Sequence, residues 1–360
     1  MNVGTTEDLG MPSTKRTLED TGSPLHARLV AKPTLIESLP DEQRPTLDER
    51  LSALGGAEPG VSLAGIVSRQ AAEGVGDKTA VAHVRACEEA VAAHVDSISE
   101  TLSRGPHAIA IVDDFVSDDF VTEMRREAVA LKRAGGFAPS ETLARDPTSG
   151  AVQSFTKRGV FATELVGGTQ CKDAARLMEY VICLTHALPP ALNRRWQPSS
   201  QEAPPVPFST SILEGVQCNK LACVEGRGAG YARHVDAGDG ERDSRKLTAI
   251  LYLNPRWQAA QGGVLRAHPG GGSAVVDIEP RGGRLVLFWS RHLAHEVLPY
   301  FGTSSDESAS ASIANVSASI TNVAAVASDD VAVPITDYEQ DIDDHDSDGR
   351  FAITVWLCGR

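Results

Sequence analysis

"NKLACVEGRGAGYARHVD", residues 219–236, is the stretch on which the fold turns. It opens with a short β-rich run, "NKLACV". Its glycines then come close to a dinucleotide-binding loop, "GRGAGY". Such a loop needs a third glycine at fixed spacing and a helix opening directly behind it. Neither is present, so the segment reads as strand, glycine turn and second strand. Side chains alternate along a strand, which puts His234 and Asp236 on one face. An imidazole and a carboxylate pointing the same way make two corners of a metal site, and two corners cannot hold a catalytic metal.

Working outward, short β-rich runs continue: "KLTAILYLN", "GGVLRAHP", "SAVVDIEP", "GRLVLFWS", "HEVLPY" and "FAITVWLC". Gly, Pro or charged turns separate them, a texture that predicts a sandwich or barrel. Upstream the period changes. In "KTAVAHVRACEEAVAAHVDSISETLSR", Val81, Val84, Cys87, Val91, Val95 and Ile98 recur at steps of three or four, which predicts a helix. "AIAIVDDFV" reads as a strand, and "DDFVTEMRREAVALKRAGG" as a helix stopped by Gly135-Gly136. A further helix is expected over "CKDAARLMEYVICLTHAL", ended by Pro189-Pro190. Helices first and many short strands afterwards make an α+β chain with a jelly-roll core and packed N-terminal helices.

Residues 1–75 are rich in Pro, Gly, Thr, Ser and charge without a sustained period, and are expected to be disordered or loosely structured. Residues 76–360 form the domain. Within it, residues 302–349 are Ser/Ala-rich and then acidic, and are expected to be a flexible insertion between two strands. Lengthening a loop from roughly 5 to roughly 50 residues costs only about 2 kcal/mol of closure entropy, so the fold tolerates it.

The net charge of −14 is local. The 302–349 segment holds 11 Asp/Glu and no Lys or Arg; setting it aside leaves 34 basic against 37 acidic residues. No basic stripe marks a nucleic-acid surface. No apolar stretch is long enough for a membrane helix, and the first 20 residues lack the apolar core of a secretory signal. Six cysteines are scattered without a CxxC pair, which points to neither a disulfide framework nor a zinc knuckle. A cytoplasmic or nuclear monomer is the expectation. "DHDSDG" (344–349) imitates an EF-hand opening, but its twelfth position is Val355 and a strand follows where a helix should. The sequon at Asn315 is moot in such a compartment.

A third ligand must come from His268, His292, His295 or His345. His268 lies beside Pro269 and glycines, His345 in the acidic segment. His292 and His295 are close together, and only His295 opens a β-run. Two histidines and a carboxylate holding one face of an octahedral ion, with open positions, is the arrangement of non-haem Fe(II) oxygenases. A 2-oxoglutarate co-substrate would need a fixed cation for its far carboxylate, best a guanidinium fork. Between His295 and Phe351 the only Lys or Arg is Arg350. On the strand it opens, Arg350, Ala352, Thr354 and Trp356 share a face.

"GYARHVD", "LTAILYLN", "GGVLR", "DIEPRGGRLVLFWS", "HEV" and "RFAITVW" occur in order, and together they resemble the catalytic core of the prolyl 4-hydroxylases. The resemblance is to those that act on hypoxia-inducible factor and to protist relatives acting on the Skp subunit of SCF ubiquitin ligases. It is dense from about residue 217 to 300 and resumes at 350. A weaker likeness runs through "AIAIVDDFVSDDFVTEMRREAVAL" and "TKRGVFATELVGG". The resemblance implies a double-stranded β-helix with Fe(II) on His234, Asp236 and His295. It also implies Arg350 as anchor of the 2-oxoglutarate C5 carboxylate, with Tyr252 donating its hydroxyl to that carboxylate and Thr354 nearby. Ile250, Leu265 and Val297 would be apolar walls, and Tyr231, Arg245 and Trp356 match positions near a peptide substrate.

The implied reaction couples decarboxylation of 2-oxoglutarate, with O2 and in the presence of L-ascorbate, to hydroxylation of a prolyl C4. The implied partner is a Skp-type subunit or hypoxia-inducible factor alpha, and the implied role is oxygen sensing. Three departures bear on the substrate. The acidic segment replaces a short turn, Val224 stands where a tyrosine is usual, and the family's Arg-Gly-Asp reads Arg158-Gly159-Val160. The alternatives are a 2-oxoglutarate oxygenase of another protein substrate and a non-catalytic jelly-roll binding module.

Overall fold

The computed structural model describes residues 16–17, 30–31, 78–145, 152–166, 173–196, 213–238, 243–270, 274–302 and 349–359. In chain order the elements begin with β1 (Arg16–Thr17), β2 (Val30–Ala31), α1 (Lys78–Leu102), β3 (Ile109–Val112) and α2 (Asp118–Arg133). Then come β4 (Ala138–Arg145), β5 (Val152–Thr163), α3 (Ala175–Trp196), β6 (Leu213–Glu225), β7 (Ala229–His234) and β8 (Arg245–Tyr252). The last are β9 (Leu265–His268), β10 (Val276–Ile278), β11 (Leu285–Trp289), β12 (Ala294–Tyr300) and β13 (Gly349–Gly359). In the N-terminal stretch, β1 pairs with β5 and β2 with β4. The rest of residues 1–75, and the insertion apart from Gly302 and Gly349, lie outside the described residues. So does most of the EF-hand-like stretch.

Two sheets follow from the pairing. The larger runs β2-β4-β5-β6-β13-β8-β11-β3, with β1 beside β5; the smaller runs β10-β9-β12-β7. From β6 onward the chain crosses between them: β6 large, β7 small, β8 large, β9 and β10 small, β11 large, β12 small, β13 large. That alternation is a jelly roll, and with three helices among the described residues the fold is α+β.

Strand parity separates two cores. Leu247, Ala249 and Leu251 of β8 and Phe351, Ile353, Val355 and Leu357 of β13 face the helices, joining Cys87, Val91, Val95 and Ile98 of α1. The alternate residues Ile250, Tyr252 and Ala352 face the smaller sheet, packing with Leu265, Ala267, Val286, Phe288 and Val297. The order is helices, large sheet, small sheet, and the space that matters for function lies between the sheets.

Local chemistry sets the helix ends. Ser117 caps α2 by accepting from the Phe120 N–H, with Asp118 and Asp119 in the first turn and Lys132 and Arg133 in the last. Gly135, at φ 76°, lets the Gly135 and Gly136 N–H groups turn back to the Lys132 and Leu131 carbonyls. The Glu127 carboxylate of α2 accepts the Arg176 and Leu177 N–H groups and so caps α3.

One sequence expectation is overturned here. α3 does not end at Pro189-Pro190; both prolines lie inside it and it runs to Trp196. A proline's fixed φ is itself helical, and its cost falls on the carbonyls of the preceding turn. Burial of Leu188, Ala191, Leu192 and Trp196 outweighs that cost, with the Trp196 ring 5.4 Å from that of Trp289.

Candidate metal centre and co-substrate pocket

Glycine-bearing "GRG" turns the chain from β6 into β7, with Arg227 at φ 67° and Gly228 at φ 81°. β7 then delivers His234 as its last residue, and Asp236 follows two positions on. β12 pairs antiparallel with β7 in a register that sets His295 directly against His234. Sequence-distant histidines thus meet because two strands of the small sheet are neighbours. Nε2 of His234 lies 3.6 Å from Oδ1 of Asp236, and Nε2 of His295 lies 3.7 Å from the same oxygen. The imidazole centroids are 4.4 Å apart, and the three side chains form the one potential metal-holding cluster found among the described residues.

The surrounding hydrogen bonds aim these groups. Nδ1 of His234 faces the Ala232 carbonyl at 2.8 Å, and Nδ1 of His295 faces the Leu293 carbonyl at 3.1 Å. A carbonyl can only accept, so each Nδ1 carries the proton and each Nε2 presents a lone pair. Oδ2 of Asp236 accepts from the Thr248 hydroxyl at 2.7 Å, and Thr248 in turn meets the Ser290 hydroxyl at 2.8 Å. The Asp236 and Ala237 N–H groups both donate to the Ser290 carbonyl. Oδ1 is left for the ion.

Burial would push the Asp236 carboxyl up, but the His295 and His234 imidazoles and the Thr248 hydroxyl together hold it well below the usual carboxylate range. Burial pulls His295 down to about 4, against the attraction of Asp236. At neutral pH the site therefore offers the Asp236 anion and a neutral His295 imidazole. Two nitrogens and one oxygen on one side, with open cavity on the other, fit a divalent iron: ligand atoms about 2.1 Å from an octahedral ion sit about 3 Å apart, slightly inside the observed separations.

One cavity runs from this tripod to Arg350. It is lined by Tyr231, Ile250, Leu265 and Val297 and, along β13, by Arg350, Ala352, Thr354 and Trp356. The guanidinium is buried; its Nε donates to the Gly263 carbonyl at 2.6 Å and its Cζ stands 5.0 Å from the Tyr252 ring centroid. Gly263, at φ 72°, makes room: a Cβ there would come within 2.7 Å of Arg350 Cδ. Tyr252 faces the same core beside that guanidinium, with its buried hydroxyl lacking a hydrogen-bond partner. An orphaned donor beside a buried guanidinium is what a carboxylate would satisfy.

Arg245 is outside the wall. A register shift between Leu357 and Cys358 brings it onto the Trp356 ring at 5.4 Å, where it is paired with Asp243. Val224 packs with Val160 and Tyr300. The sequence reading did not anticipate Lys157 and Lys220, which line the cavity, or Thr248, Ser290 and Asn254. Thr248 was accessible from parity, since "TAILY" places it on the face of Ile250 and Tyr252.

Residues 217–309 match the family model of the 2OG-Fe(II) oxygenase superfamily. Prolyl hydroxylases are among the proteins this chain is similar to. The chain is 32% identical over 220 residues to Egl nine homolog 1 of Rattus norvegicus, a match covering 58% of each chain. It is 51% identical over 85 residues to prolyl hydroxylase EGLN3 of Mus musculus, covering 23% of this chain and 35% of that one. Among solved structures, a prolyl hydroxylase from Trichoplax adhaerens in complex with a hypoxia-inducible-factor peptide matches with a TM-score of 0.47 at 20% identity, covering 74% of this chain and 91% of that one. The matches thus span little more than half the length of the curated relatives, or less.

Proposed function

We propose that this protein is a 2-oxoglutarate- and Fe(II)-dependent protein prolyl 4-hydroxylase that senses oxygen in the cytoplasm or nucleus. The observation that carries this reading is one cavity with a His-Asp-His tripod at one end and a buried, cradled guanidinium at the other. A bound iron supplies oxygen activation coupled to decarboxylation of the co-substrate. The chain's own residues do the rest. His234, Asp236 and His295 hold the ion, their orientation fixed by the Ala232 and Leu293 carbonyls and by Thr248. Arg350 takes the far carboxylate of 2-oxoglutarate as a fork, Tyr252 donates its hydroxyl to it, and Thr354 lies alongside. Ile250, Leu265, Val297 and Ala352 keep water from the reacting centre. Tyr231 and Trp356 flank the space left for the target residue, with Arg245 bracing Trp356 from behind.

Of the two substrate types, the Skp-type subunit is the better supported. The long low-complexity insertion at 302–349 is more like the protist relatives than the animal ones. The test is incubation with 2-oxoglutarate, Fe(II), ascorbate and O2 and either a Skp-type subunit or hypoxia-inducible factor alpha. The expected result is succinate release and a mass gain of one oxygen on a single proline. Absence of that gain on both partners removes both substrate assignments. Absence of succinate with any partner leaves the binding-module alternative.

A further inference from the structure

Two lysines enter the cavity for which the reaction above has no use. Lys157 comes from β5 and Lys220 from β6, where it pairs with Thr354 of β13. Both are partly buried. Nζ of Lys157 lies over the Tyr231 ring, 4.4 Å from its centroid, and Tyr231 itself stacks toward His234 at 6.1 Å. Among the described residues neither ammonium has a hydrogen-bonded or ion-paired partner. The carboxylates whose fields reach them are Asp236 for both and Glu164 for Lys220. Asp236 is committed to the metal and Glu164 does not line the cavity.

The charge balance makes this unusual. A divalent ion is half neutralised by Asp236, and a dianionic co-substrate offsets the remaining charge together with that of Arg350. Two cations are left over. Long cationic side chains ordinarily carry the charged end out to water. Here they line one space, where burial weakens the hold of each on its proton, aided at Lys157 by the charge of Lys220 and at Lys220 by that of Arg245. An uncompensated pair in a low-dielectric wall costs stability until an anion arrives.

Resting on the hydroxylase reading, we infer that Lys157 and Lys220 form a carboxylate subsite on the substrate side of the tripod, selecting polypeptides with an acidic side chain next to the target residue. Tyr231 holds Lys157 at that side by its ring face. Lys220 enters the same cavity from β6, so a carboxylate bridging both ammonium groups would bring its neighbour in the polypeptide to the metal.

The test uses the full chain loaded with Mn(II) and 2-oxoglutarate, and two fluorescent peptide pools. Both pools have a fixed central proline, with one flanking position set to Glu in the first and Gln in the second. Anisotropy is expected to show at least about tenfold tighter binding of the Glu pool, a difference of about 1.4 kcal/mol. The preference should vanish in Lys157→Met and Lys220→Met and return in Lys220→Arg. Both Met variants should also melt at higher temperature than the wild type when ligand-free, which a merely structural lysine would not do.

Equal binding of the two pools, or a preference that survives both Met variants, overturns the subsite. Loss of the thermal shift given by Mn(II) and 2-oxoglutarate in the Met variants would assign the lysines to the co-substrate and overturn it as well. If N-acetylglutamate stabilises the loaded wild type while the pools bind alike, the subsite takes a free acid and the polypeptide claim falls. Absence of any Mn(II)/2-oxoglutarate shift in the wild type instead refutes the oxygenase reading on which the inference rests.

Discussion

Replacing Asn254 by Ala probes how the co-substrate anchor is held in register, because Arg350 follows an insertion and no short turn positions it. Asn254 lies just past β8. Its Nδ2 donates to the Pro280 and Phe351 carbonyls at 2.9 and 3.0 Å, and its Oδ1 accepts from the Phe351 N–H at 2.8 Å. The same Oδ1 accepts from Arg125 Nη1 at 3.0 Å; Arg125 also donates to the Leu253 and Gly349 carbonyls. Asn254 therefore pins Phe351 on one side of Arg350, and its partner Arg125 pins Gly349 on the other. Truncation strands the Phe351 N–H and the Pro280 carbonyl in a site closed to water, at about 1–3 kcal/mol each. The Phe351 carbonyl keeps its bond from the Leu253 N–H, so it adds little. We expect a loss of about 3–4 kcal/mol, a large part of a typical domain's 5–15 kcal/mol. Urea unfolding reads the stability, and titration of the Mn(II)-loaded protein reads 2-oxoglutarate affinity, which should weaken at least about tenfold. A loss below about 1 kcal/mol with unchanged affinity would refute the argument that this clamp sets the anchor.

Gly263→Ala should weaken 2-oxoglutarate binding and lower the urea midpoint, since its Cβ would meet Arg350 Cδ at 2.7 Å and Tyr300 Cδ2 at 3.0 Å from a φ of 72°. Thr248→Val keeps the shape but removes the donor to Asp236 Oδ2, and calorimetry with Mn(II) should show affinity falling about 10- to 100-fold. For metal-free protein, the unfolded chain takes a proton on residue 295 below about 6.5 while the folded imidazole resists until about 4. Stability is therefore lost as pH falls through that window, by about 2 kcal/mol between pH 7 and pH 5 in urea titrations; Asp236 adds nothing there, its ordinary pKa lying below it. Replacing 303–348 by a short Gly/Ser linker should stabilise the protein by roughly 2 kcal/mol and leave 2-oxoglutarate affinity unchanged, as thermal melts and titration will show.

How far the site was legible depends on whether one strand or a strand pairing defined it. His234 and Asp236 needed only the period of two, and Arg350 needed only the absence of a rival Lys or Arg. Bringing His295 to them required knowing that β12 lies beside β7, which the ordered motifs implied by resemblance and no local signal showed. Lys220 illustrates the limit. "NKLACV" reads as a strand, but which face meets the cavity follows from β6 lying beside β13, a contact between residues more than a hundred positions apart. Pro189-Pro190 failed for another reason: propensity is local, while the buried face of Leu188, Leu192 and Trp196 is a tertiary gain.

The tolerance for an insertion between a metal ligand and the co-substrate anchor has a geometric origin. Gly349 pairs with Glu225 at the end of β6, and the Gly228 N–H, three residues on, donates to the Tyr300 carbonyl at the end of β12. Three residues of chain span at most about 11 Å, so the insertion leaves and returns at one corner of the jelly roll. Gly263 sits in that corner too, its N–H on the Pro299 carbonyl and its own carbonyl on Arg350 Nε. From there β13 runs between β6 and β8, paired with β6 from Gly349 to Gly359 and with β8 from Ala352 to Cys358. Its register is thus written by two neighbours and the Asn254 clamp, and the length of chain that precedes it has little leverage on where the guanidinium points.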